Sequence, residues 1–201
     1  MSDLALLQAV RLKGRVNRAD LAETLGEDPA DVDNAVARLT KSGLLVNDKT
    51  VKLSPGGRTR LGELLAQERR SIDKAAMRAI HNDFRAVNAE FKAVVTDWQV
   101  KAGEHNTHED TEYDAVILAR LDRVHRRVVP IVAAAAAQLP RLNTYLAKLR
   151  KALDRVKAGD TAWLSRPIID SYHTVWFELH EELILAAGLT REAEARSGNA
   201  Q

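Results

Sequence analysis

Apolar residues recur at steps of three and four along most of this chain. Leu4, Leu7 and Val10 mark a first helix, stopped at Lys13-Gly14. Leu21, Ala22 and Leu25 mark a short second helix, ended by Gly26. Val32, Ala35, Val36 and Leu39 stripe a third, which closes at Ser42-Gly43. Its start is signalled by Asp28 as N-cap with Pro29 at the first helical position. The pattern then changes. Leu44-Leu45-Val46 and Thr50-Val51-Lys52-Leu53 flank the polar turn Asn47-Asp48-Lys49, which predicts a β-hairpin. Ser54-Pro55 caps a fourth helix running through Leu61.

Beyond residue 70 four seams follow one another. Met77, Ile80, Phe84, Val87, Phe91, Val94 and Trp98 alternate steps of three and four. Ile117, Leu121, Val124, Val128 and Ile131 form a second seam, and Leu142, Leu146, Leu149, Leu153 and Val156 a third. Ile169, Tyr172, Trp176, Leu179 and Leu183 form the fourth. Breaks fall at Ser71-Ile72-Asp73, 102–109, Leu139-Pro140 and 159–167. Pro130 is expected to kink or end the second of these helices. In the break at 102–109, Thr107 with Asp110 reads as a capping-box-like start for the next helix, and His105 with His108 as a far less favoured metal pair.

The fold class expected is therefore mainly α. A winged helix-turn-helix of three helices plus a β-hairpin, residues 1–70, precedes an all-α bundle, residues 71–192, and a disordered tail, 193–201. The stretch Leu39 to Leu61, with "SGLLV" and "LSPGGR", resembles the recognition-helix end, wing and following helix of MarR-like transcriptional regulators. That resemblance covers about a third of the chain. It implies a homodimeric regulator that binds double-stranded DNA and answers to a small-molecule effector sensed by the bundle.

Charge complicates this. The whole chain is close to neutral, with 30 basic and 28 acidic residues, so affinity for DNA must come from a local patch. On the outward side of the third helix, Asn34 would pair with adenine and Arg38 with guanine. Lys41, Lys49, Lys52, Arg58 and Arg60 would neutralise phosphates. Yet no Lys or Arg lies between Ala19 and Ala37, where Asp20, Glu23, Glu27, Asp28, Asp31 and Asp33 cluster. These acids suit a helix start. They also repel phosphate, which leaves open a second reading: a repurposed winged helix that binds a protein partner.

His81, His125, His173 and His180 each follow a seam residue by one position and so flank the bundle core. Of these, His125, His173 and His180 are the candidates for a ligand or metal site, since neutral imidazoles with nearby carboxylates suit transition metals. The alternative is histidines hydrogen-bonded at the bundle margin, with no cofactor. The blocks "FRAVNAEFK", "TDWQ" and "SYHTVWFELHEEL" resemble a helical region appended to some bacterial pyruvate, phosphate dikinase-related chains, which implies a regulatory module linked to pyruvate and phosphoenolpyruvate metabolism. No phosphate loop, nucleophile elbow or HExxH motif is present, so no enzyme activity is expected. The chain has no cysteine, no apolar run long enough for a bilayer and no basic flank at Met1-Ser2-Asp3, so a cytoplasmic protein that does not enter membranes is expected.

Overall fold

A computed structural model describes residues 1–196 as mainly helical, with two small two-stranded sheets. The chain divides into two compact units, Met1–Ser71 and Ile72–Gln201. No helix among the described residues is long and apolar enough to cross a membrane.

The first unit runs α1 (Asp3–Lys13), α2 (Arg18–Leu25), α3 (Pro29–Lys41), β1 (Leu45–Asn47), β2 (Val51–Leu53) and α4 (Pro55–Glu68). Local chemistry sets these bounds. The side chains of Ser2, Asn17, Asp28 and Ser54 each accept a backbone N–H in the first turn of the helix that follows. Gly14 and Gly26 end α1 and α2 at positive φ. Leu6, Leu7, Val10, Leu21, Val32, Val36, Leu39, Leu45, Val51, Leu53 and Leu61 form the buried core. The strands pair antiparallel with Leu45 opposite Leu53. Val16, between α1 and α2, adds a bridge to Val51, with N–H to O distances of 3.2 and 2.8 Å.

The two motifs at either end of the hairpin meet in the fold. Ser54 Oγ caps α4 by accepting the Gly57 N–H at 2.9 Å and itself donates to the Gly43 carbonyl at 2.6 Å. The backbone passes so close here that a Cβ on Gly57 would lie 1.9 Å from the Leu44 carbonyl oxygen. "SGLL" and "SPGG" thus close the base of the hairpin together.

The second unit begins with α5 (Lys74–Gln99), capped by Asp73, which fits the interruption expected at residues 71–73. A hairpin not expected from the sequence follows: β3 (Val100–Lys101) and β4 (Glu104–His105). Its two turn residues, Ala102 and Gly103, both have positive φ, as a two-residue type I′ turn requires. Next come α6 (Thr111–Gln138), a 3-10 turn (Pro140–Asn143), α7 (Thr144–Lys157), α8 (Ala162–Ser165), α9 (Tyr172–Ala186) and α10 (Arg191–Arg196).

Asp110, not Thr107, caps α6, accepting the Tyr113 N–H at 3.0 Å. Pro130 does not end α6. It is exposed, so the carbonyl deprived of its N–H partner can turn to water. Helices α5 and α6 lie antiparallel: Glu90 pairs with Arg127 and Asp97 with Arg120, partners falling as positions rise. Ile169 precedes α9, whose cap is Ser171. The expected tail from residue 193 is partly helical, in α10; residues 197–201 lie outside the described residues.

The seams differ from expectation in one systematic way. On α5 the buried positions are Met77, His81, Phe84, Asn88, Phe91, Val95 and Trp98, together with Val87 and Val94, while Ile80 is only half-buried. The face is wider than a coiled-coil seam, and polar residues share it. Helix α9 is buried nearly all round, carrying Val175, Trp176, Leu179, Leu183 and Ile184 but also Glu178, His180, Glu181 and Glu182 inside. It is the central helix, packed by α5, α7, α8 and α10.

Candidate functional site

In the first unit the apolar stripe of α3 faces inward, so its outward ridge can be read directly. At about 100° per residue, the positions opposite Val32, Val36 and Leu39 are Ala30, Asn34, Ala37 and Lys41, and all four are exposed. Arg38, expected on this ridge, is exposed but leans toward α1, where its guanidinium donates to both Asp3 carboxylate oxygens at 2.6 and 3.3 Å. That hydrogen-bonded pair lowers the Asp3 carboxyl pKa and raises that of Arg38, with Arg60 adding a weaker pull on Asp3. Arg60 itself donates to Glu63 at 2.9 Å within α4. On the other flank of α3, Arg18 of α2 donates to Asp33 at 3.3 Å. Lys49 at the hairpin tip and Arg58 in the first turn of α4 are exposed, and Lys52 on β2 is half-buried.

Charge is divided along this unit. Residues 1–37 hold four Lys/Arg against seven Asp/Glu; residues 38–71 hold eight against three. The acids of the first half include exposed Glu27, Asp28 and Asp31 around the start of α3.

In the second unit the three histidine candidates do not meet. His125 is buried and shares a 3.1 Å hydrogen bond with the Tyr172 hydroxyl, its ring edge-on to the tyrosine. Burial pushes the imidazole pKa down and the tyrosine pKa up. His173 is half-buried, with its ring 6.0 Å from that of Phe91. His180 is buried elsewhere, against Phe84 and His81. The loop histidines do not converge on a site either: His105 is exposed on β4, and His108 Nδ1 lies 2.9 Å from Asp114 within a network closed by Asn106.

His180 instead converges with two residues outside the expected set. His81 of α5, His180 of α9 and Glu194 of α10 place one donor atom each within 4.8 Å of one another, all three buried. Glu194 Oε2 is 3.7 Å from His81 Nε2 and 3.9 Å from Arg85 Nε. The two imidazole rings stack with centroids 6.2 Å apart, and Phe84 lies 5.2 Å from the His180 ring. Burial first, and then the charges of His81, Arg191 and Lys92, lower the His180 pKa to about 4, and burial also lowers that of His81. The signal for His81 is its place in the run 77, 81, 84, 88, 91, 95 and 98, which repeats as regularly as the seam of apolar residues. Glu194 carries no signal, since it lies where a disordered tail is expected.

The other buried acids of α9 are tied structurally. Glu182 accepts from Arg141 at 2.7 Å, and Tyr145 donates to it at 3.5 Å. Lys148 lies 3.4 Å from Asp170 and 3.9 Å from Glu178. These pairs join α9 to α7 and to the 3-10 turn. The same acids and burial raise the Tyr145 pKa, burial first, so the tyrosine stays protonated and donates.

No known protein family, curated protein or solved structure matches the chain.

Proposed function

We propose that residues 1–71 are a winged helix-turn-helix that binds duplex DNA, in a cytoplasmic homodimeric regulator whose helical unit senses a small molecule. The observation that carries this reading is the outward ridge of α3. It presents Asn34 and Lys41 between two alanines, narrow enough to enter a major groove, and the flanking charges of Asp33 and Arg38 are drawn aside by Arg18 and Asp3. The basic excess of residues 38–71 supports the same surface. Asn34 suits a base edge, while Lys41, Lys49, Lys52 and Arg58 suit phosphates. Arg38 belongs to an exposed ion pair, which water screens, so Asp3 orients this arginine without sequestering it. Arg60, paired with Glu63 on the α1 side, plays the smaller part.

The exposed Glu27, Asp28 and Asp31 favour a second reading, in which the start of α3 meets a basic protein surface and DNA is not touched.

Fluorescence anisotropy with the protein's own upstream DNA separates the two. DNA binding predicts affinity that falls steeply with salt. Lys41→Ala and Lys49→Ala should each make the log–log slope shallower by about 0.9, the share of one neutralised phosphate. Asn34→Ala should instead relax base preference and leave the salt slope unchanged. Absence of binding at low ionic strength would sink the DNA reading.

A further inference from the structure

Three donors converge on one point of the helical unit from positions 81, 180 and 194, on three different helices. We propose that His81, His180 and Glu194 bind a divalent transition-metal ion of the zinc class, which fastens α10 to α5 and α9.

The chemistry of the donor set supports this. Two imidazoles and one carboxylate are a ligand combination that zinc and its neighbours accept, with a further position left for water or a small ligand. His81 Nε2 and His180 Nε2 are both buried and have no hydrogen-bond partner among the described residues. A buried imidazole nitrogen with no partner carries a desolvation cost that a metal bond would offset.

Distances are close to what an ion needs. Bonds of about 2.1 Å in a tetrahedral site set donors about 3.4 Å apart. Glu194 and His81 stand at 3.7 Å, and the widest gap in the set does not exceed 4.8 Å, so side-chain rotations of about an ångström complete the shell. Arg85, 3.9 Å from Glu194, is a competing cation, and its side chain is 36% exposed. It can therefore withdraw to solvent. Arg191 is already engaged: it donates to Glu181 at 2.8 Å and lies over the Phe177 ring, which seats the start of α10 beside α9.

The test uses the full chain, stripped with EDTA and titrated separately with Zn²⁺ and Co²⁺. Equimolar binding is expected, with a rise in melting temperature for zinc and visible d–d absorption for cobalt. Glu194→Gln and His180→Gln should each weaken binding by more than about tenfold, and His173→Gln should leave it unchanged. Far-UV circular dichroism checks that each variant is folded. Should His180→Gln fail to fold, Glu194→Gln on the last described helix decides the matter. No equimolar binding, or binding that Glu194→Gln leaves intact, overturns the proposal.

Discussion

Gly57 shows how one missing side chain can set a local fold. A methyl group there would sit 1.9 Å from a backbone oxygen, and backbone cannot swing aside as a side chain can. The close approach lets Ser54 serve both as cap for α4 and as clamp on the Gly43 carbonyl. Gly57→Ala should therefore destabilise the first unit by at least about 1–3 kcal/mol, as overpacking does. All three tryptophans, Trp98, Trp163 and Trp176, lie in the second unit. Urea denaturation should show an earlier far-UV transition with the tryptophan transition unmoved. Gly62, exposed on the same helix with open space around it, is the control: alanine should be tolerated there. Ile168 poses the opposite case. It holds φ +77 in a loop while 95% exposed, a strained conformation for a β-branched residue that no burial offsets.

Among the elements, α9 departs furthest from expectation. Its apolar positions predict one narrow seam, yet the helix is buried on nearly every side. A helix in that position must satisfy its polar side chains within the protein. Glu182 does so at one oxygen, Oε1, through Arg141, and Trp176 does so by donating its indole N–H to Asn88 Oδ1 at 2.8 Å. That bond crosses 88 positions in sequence and joins α9 to α5. Asn88→Leu keeps much of the volume but leaves the indole N–H without this acceptor. The cost should be about 1–3 kcal/mol, read as a lower denaturation midpoint by tryptophan fluorescence. An unchanged midpoint would mean that the bond contributes nothing to holding the two helices. The other ends of the elements obey simpler rules: a side-chain cap at the start of α1 to α6 and of α9, and glycine at the close of α1 and α2.

For the whole molecule, the buried histidines predict acid sensitivity confined to the second unit. In the unfolded chain each imidazole takes up a proton near pH 6.5, about its free value. In the folded protein His180 does so only at about 4, and His81 is also shifted down. The unfolded state therefore binds more protons throughout that window, and stability falls as pH drops from about 6.5 toward 4. The slope is about 1.4 kcal/mol per pH unit for each proton taken up. Denaturant midpoints of the EDTA-treated protein, followed by tryptophan fluorescence at pH 7 and pH 5, measure it. His180→Gln should flatten the dependence. Equal midpoints at the two pH values in the parent chain would contradict it.

How much of this was legible in the sequence follows from the range of the interactions. Most helix starts and stops and the hairpin after Gly43 depend on neighbours a few positions apart, so the order of amino acids alone determined them. "SGLL" and "SPGG" were visible as two motifs, but not that they meet. Which faces the helices bury was legible only for apolar residues. His81 shares a regular buried stripe with Asn88 yet reads as a flanking residue, because periodicity is weighed by hydrophobicity and not by where a partner stands. Arg38 reads as an outward reader of bases until Asp3, thirty-five positions away, orients it. The convergence of His81, His180 and Glu194 was decided by tertiary structure alone. Helix α5 lies far from α9 and α10 in the chain; all three must pack before those donors meet, and no local rule encodes the rotation at which each helix presents its side chain.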